Sequence, residues 1–74
     1  MHLLLTYPSA PPDWDARAED RGNAGLTQLQ IWRDADGPAT LVLFEVADRA
    51  KAEAWLDKTR ALGPSANARF MKTA

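Results

Sequence analysis

The chain has 74 residues, nine basic and ten acidic side chains, a net charge of −1 and no cysteine. That length supports one small domain spanning 1–74, and the absence of thiols excludes disulfides and thiolate metal sites. With one histidine, His2, and no basic excess, a histidine-cluster metal site and a phosphate-neutralising nucleic-acid surface are excluded as well.

Fourteen of the apolar residues are alanine, which leaves twenty large apolar or aromatic side chains. A chain this short buries only about 60% of the surface it exposes when unfolded. Folds of this size usually draw on a disulfide, a metal or a partner subunit. The first two are missing here, so association with a second copy is an early expectation. The longest apolar runs, Leu3 to Leu5 and Leu41 to Phe44, are far too short to cross a membrane. Met1 to Leu5 lacks the basic start and long apolar stretch of a signal peptide, so the chain reads as cytoplasmic.

The first predicted strand is His2 to Tyr7, stopped by Pro8. Prolines at 8, 11 and 12 make Ser9 to Pro12 a loop. Asp13 is then a candidate N-cap for a helix through Trp14, Arg17, Ala18 and Arg21, ended by Gly22 or Gly25. Its apolar stripe is thin, little more than Trp14 and Ala18. Thr27 to Arg33 alternates as a strand, with Leu29 and Ile31 on one face and Gln28, Gln30 and Trp32 on the other. An Asp34–Ala39 turn centred on Asp-Gly leads into a β-branched and aromatic strand, Thr40 to Val46, and the two strands read as a hairpin. Asp34-Ala-Asp-Gly also resembles the start of a calcium loop. It lacks the later acidic ligands, so a turn is the expectation.

Asp48 is placed to cap the best helix, Arg49 to Leu62. Ala52, Trp55, Leu56, Thr59 and Leu62 fall on one of its faces, and Gly63-Pro64 stops it. A last strand lies within Asn67 to Thr73, with Phe70 and Met71 as its large residues.

Strand, helix, strand, strand, helix, strand is the order of an α+β, ferredoxin-like βαββαβ fold. Its four-stranded antiparallel sheet, in strand order 4-1-3-2, carries two helices on one face. The two most apolar strands, the first and third, fall at the centre of that order. Continuous apolar character means that both faces of a strand are covered, but two helices cover only one face of the sheet. If Arg33 opposes Thr40, then Ile31 opposes Val42 and Leu29 opposes Phe44, on the helix side. Trp32 then opposes Leu41, Gln30 opposes Leu43 and Gln28 opposes Glu45, on the open side together with Leu4. A large apolar patch of this kind is rare on a monomer, and the simplest cover is a twofold-related copy of the same sheet. The expected dimer interface is Leu4, Gln28, Gln30, Trp32, Leu41, Leu43 and Glu45. A one-residue slip in register would exchange the two faces.

The Pro-rich loop into Asp13-Trp14, then Arg21, Ala24-Gly25-Leu26, the Arg33-Asp34 turn, the apolar strand Leu41 to Glu45 and Asp48-Arg-Ala-Lys-Ala together resemble the dimeric α+β barrel superfamily. The chain especially resembles the small proteins similar to the antibiotic biosynthesis monooxygenase-like group of that superfamily. The resemblance implies the fold and a homodimer. Its members span cofactor-free oxygenases, haem-degrading enzymes, isomerases and proteins without known activity, so it implies no single chemistry.

Oxygenases of that superfamily use a pocket lined by Trp, Asn, Arg and sometimes His or Tyr. The residues here that match by type are His2, Tyr7, Arg21 and Trp55 as catalytic candidates, and Trp14, Arg17 and Asn23 as ligand-binding candidates. Each has a plainer explanation. Trp55 lies on an apolar helix face, Tyr7 ends a buried strand, the arginines fit a solvated helix, and His2 follows the initiator Met. Glu45 on the open face needs a partner, which Arg69 on the last strand is placed to supply. No cofactor is implied. Two expectations follow: a homodimer that binds a small apolar or aromatic molecule, or a cofactor-independent monooxygenase or isomerase acting on an aromatic or polyketide-like substrate. The second requires a cavity on which Trp55, Tyr7 and Arg21 converge.

Overall fold

The computed structural model describes residues 1–62 and 66–74. Within them, β1 (His2–Tyr7) is followed by a 3-10 turn (Asp15–Arg17), α1 (Ala18–Asn23), β2 (Leu26–Arg33), β3 (Thr40–Val46), α2 (Arg49–Leu62) and β4 (Asn67–Met71). The four strands form one antiparallel sheet in the order β2-β3-β1-β4. This is the expected order 4-1-3-2 read from the other edge. The Gly63-Pro64 stop lies outside the described residues.

The central strands alternate as a sheet with one packed face must. In β1, Leu3, Leu5 and Tyr7 are buried, and in β3 Thr40, Val42, Phe44 and Val46 are buried. α2 sets Ala52, Trp55 and Leu56 against that face. Asp48 begins this helix as expected: its Oδ1 accepts from the Lys51 amide at 3.2 Å. One turn in, Arg49 Nε donates to Glu53 Oε1 at 2.8 Å, an exposed pair that contributes little. Trp14 covers the same side, with its ring centroid 6.1 Å from that of Phe44. Phe44 therefore sits between Trp14 and Trp55, the latter ring edge-on at 6.4 Å.

The first helix departs from the expected one. Asp13 has φ +55 and does not cap; the chain turns through a short 3-10 segment, and α1 has only six residues. Two prolines just upstream and an apolar stripe of two residues give a longer helix neither hydrogen-bond continuity nor a face to bury. Gly25 at φ +74 then turns the chain into β2, with its carbonyl accepting from the Ala47 amide at 2.9 Å. A side chain there would meet Ala47 Cβ at 3.4 Å in a left-handed conformation that non-glycine residues adopt only with strain.

The hairpin register agrees with expectation near the turn and not beyond it. Arg33–Thr40, Trp32–Leu41, Ile31–Val42 and Gln30–Leu43 pair as reasoned, then a bulge at Leu29 shifts β2 by one. Gln28 opposes Phe44, and Thr27 opposes Glu45. A bulge leaves one residue of its strand unpaired and reverses the alternation beyond it. Leu29 thus faces neither Phe44 nor the core and is 47% exposed. Ile31 does lie on the helix side opposite Val42, yet it is 40% exposed on the edge strand.

Candidate functional site

Two surfaces carry the chemistry-bearing residues: the helix side near Trp14, and the open side of the sheet. On the helix side, the chain that leaves β1 folds back so that Trp14 meets Tyr7 edge-on, with centroids 5.9 Å apart. Arg21, two helical turns after Trp14, places its guanidinium carbon 3.8 Å from the Trp14 ring centroid. Its Nη1 donates to the Trp14 carbonyl at 2.6 Å. Trp14 Nε1 in turn donates to Gln28 Oε1 at 3.0 Å. One indole thus joins the loop, α1 and β2.

This arrangement corrects two expectations. Arg21 is 7% exposed rather than solvated on a helix face. Trp14 is half-buried and packs against the core. Gln28 is not an open-face residue, since the bulge turns its side chain to Trp14 and away from the open side. No local pattern announces Arg21, because its contact with Trp14 is made across a 3-10 segment and a fold-back of the loop. Burial pushes the Tyr7 hydroxyl above its ordinary pKa, against the opposing pull of Arg21 and Arg17, so the phenol is neutral at pH 7. Burial also lowers the Arg21 guanidinium, with Tyr7 and Asp15 acting in the opposite direction.

Arg21 is therefore expected to hold the loop in place. Arg21→Met keeps the apolar stem and loses the charge-assisted hydrogen bond and the cation–π contact. It should lower unfolding free energy by about 1.5–3 kcal/mol. Urea unfolding measures this, and a change under about 0.5 kcal/mol would remove the positioning role.

The catalytic candidates do not converge. Tyr7 lines a void of only 30 Å³ with Leu56, Thr59, Arg60 and Ala66. Trp55 lines a different cleft, of 280 Å³, with Arg17, Asp20, Lys58 and Thr59. Arg21 is engaged with Trp14, and His2 lies at the opposite end of β1 from Tyr7 on the other face, beside Glu45 and Met71. Of the ligand-binding candidates, Arg17 alone borders the 280 Å³ cleft, and Asn23 ends α1 exposed to solvent. Among the described residues, no three His, Asp or Glu side chains gather into a metal site.

The open side is built by the other parity of each strand. One row crosses the sheet as Trp32, Leu41, Thr6 and Asn67; the next as Gln30, Leu43, Leu4 and Arg69; the third as Thr27, Glu45, His2 and Met71. Trp32 is 46% exposed on the edge strand β2. At the other edge, Leu4, Thr6, Asn67, Ala68 and Arg69 border a hollow of 430 Å³. Glu45 and Arg69 do not pair as expected within the chain. They lie in different rows with β1 between their strands, and the ion pairs among the described residues are Arg49–Glu53 and Arg60–Asp57.

No protein-family model, curated protein or solved structure matches the chain. No helix among the described residues is long and apolar enough to cross a membrane.

Proposed function

We propose that the chain is a ferredoxin-like domain that works as a homodimer, its two sheets packed through their open sides in the manner of the dimeric α+β barrel superfamily. One observation carries this reading. Leu4, Leu41, Leu43 and Trp32 form an apolar field on a face that neither helix covers. In a domain with so few large apolar residues, Leu4, Leu41 and Leu43 stay half-buried and Trp32 46% exposed, so each forfeits a part of the about 1.5–3 kcal/mol that full burial contributes. A second sheet recovers that burial for both copies at once. The interface is Leu4, Gln30, Trp32, Leu41, Leu43 and Glu45, with Gln28 removed by the bulge.

The dimer binds a small apolar or aromatic molecule in this reading, and the cleft that suits it lies between the helices. Trp55 supplies its apolar wall, and Arg17, Lys58 and Asp20 place charges of both signs at its border. The oxygenase or isomerase alternative draws less support, because Tyr7, Arg21 and Trp55 do not line one cavity. Sedimentation equilibrium at micromolar concentration tests the central claim. A species of twice 8.2 kDa is expected, and a stable monomer would sink the reading.

A further inference from the structure

The open side carries a projection and a recess at its two edges, and both belong to the same rows of the sheet. Trp32 and Asn67 are the two ends of one row, with Leu41 and Thr6 between them. Strands lie about 4.8 Å apart, so these ends are roughly 14 Å from each other and do not meet within one chain. Trp32 leaves nearly half of its surface in solvent at one end. The 430 Å³ hollow bordered by Leu4, Thr6, Asn67, Ala68 and Arg69 occupies the other end, along the edge strand β4. Its volume is in the range that holds small organic groups.

From this we infer that Trp32 of each copy docks into the Leu4–Thr6–Asn67–Arg69 hollow of a second copy, so that the contact is made twice around one twofold axis. The inference rests on the face-to-face dimer proposed above and specifies its register. The axis runs along the strands, midway between β3 and β1. About that line each row folds onto itself: Trp32 lies over the partner's Asn67, and Leu41 over the partner's Thr6. In the next row Leu43 lies over the partner's Leu4, and Gln30 over the partner's Arg69. In the third, Glu45 lies over the partner's His2.

Every one of these pairings is chemically compatible. At the centre Leu43 meets the partner's Leu4, and Leu41 meets the methyl-bearing side chain of the partner's Thr6. The carboxylate meets an imidazole and not another carboxylate. Arg69, in no ion pair among the described residues, gains an indole face beside it. An isologous interface requires this kind of self-complementarity, in which the patch and its receptor lie on the same surface. Placing the axis one strand to either side would lay Trp32 over a central strand or off the sheet, and would leave the hollow unfilled.

Three proteins compared by sedimentation equilibrium test the docking: the wild type, Trp32→Ala, which removes the projection, and Asn67→Trp, which fills the recess while leaving Trp32 intact. Far-UV circular dichroism confirms that each is folded, and Thr6→Trp fills the same hollow from β1 if Asn67→Trp does not fold. An aromatic side chain seated in a fitted pocket of the partner contributes enough that each variant should raise the dimer dissociation constant at least about 30-fold. A wild-type dimer whose constant neither variant moves overturns the docking and leaves the face-to-face dimer standing. Weakening by Trp32→Ala alone overturns it too, since Trp32 would then be seated elsewhere. A wild type that is monomeric overturns the dimer and the docking together.

Discussion

Phe44→Ala should lower the unfolding free energy by about 3–5 kcal/mol, the largest single-residue effect on stability expected in this chain. Phe44 is fully buried on β3, with Trp14 packed on one side of its ring and Trp55 on another. Its removal leaves a cavity at the point where the loop before α1, the centre of the sheet and α2 all meet. Neither tryptophan can collapse into that space without giving up its other contacts. Trp14 is held by Arg21 and Gln28, and Trp55 by its place on a capped helix. The aromatic pairings add about 0.5–1.5 kcal/mol each beyond buried area. Small domains have total stabilities near the bottom of the usual range of about 5–15 kcal/mol, so the variant should be substantially unfolded at room temperature. Urea titration followed by tryptophan fluorescence measures the effect. Phe70→Ala on β4 makes a useful comparison, because that ring is only half-buried and packs at the margin of the core. Equal losses at the two positions would mean that the core is not centred on Phe44.

The strands, their order and α2 were legible in the sequence because several local signals agree there. Prolines bound β1, the Asp-Gly turn fixes the start of the hairpin, and Asp48 caps a helix with one clear apolar face. The errors cluster where a single residue changes parity. The run Thr-Gln-Leu-Gln-Ile-Trp-Arg alternates well enough to hide a bulge, and a bulge at Leu29 inverts everything before it. That inversion moved Gln28 from the open side to Trp14, and it left Leu29 out of the core it was expected to join. The Trp14–Arg21 contact was out of reach for a different reason. It depends on a tertiary fold-back that brings the loop over β1 and β3, and the local pattern there is too poor in apolar residues to announce it. The open side is more legible, since Trp32, Leu41, Leu43 and Leu4 lie on the near side of the bulge or on strands without one.

Leu43→Lys should abolish the dimer while leaving the fold of each chain intact. Leu43 is at the centre of the open side, on β3, flanked by Gln30 on β2 and Leu4 on β1. In an isolated chain this position is half-buried and borders solvent, so an ammonium on a long stem reaches water easily and costs the monomer little. In the proposed dimer the same position is enclosed between two sheets about 10 Å apart. Symmetry then introduces two buried charges, and the nearest carboxylate on this side, Glu45 in the next row, is set over the partner's His2 in the proposed register. A buried charge without a partner costs about 3–5 kcal/mol, which corresponds to a dissociation constant raised by roughly two to three and a half decades. The thermal midpoint supplies an independent reading, because a dimer that unfolds as it dissociates melts higher as protein concentration rises. The wild type should show that concentration dependence. Leu43→Lys should melt at a lower temperature that does not vary with concentration, with its far-UV spectrum unchanged at room temperature. If the wild type is dimeric and Leu43→Lys remains so at the same concentration, the two copies must meet through another surface. The exposed Leu29 and Ile31 on the other side of the hairpin would then be the next place to look.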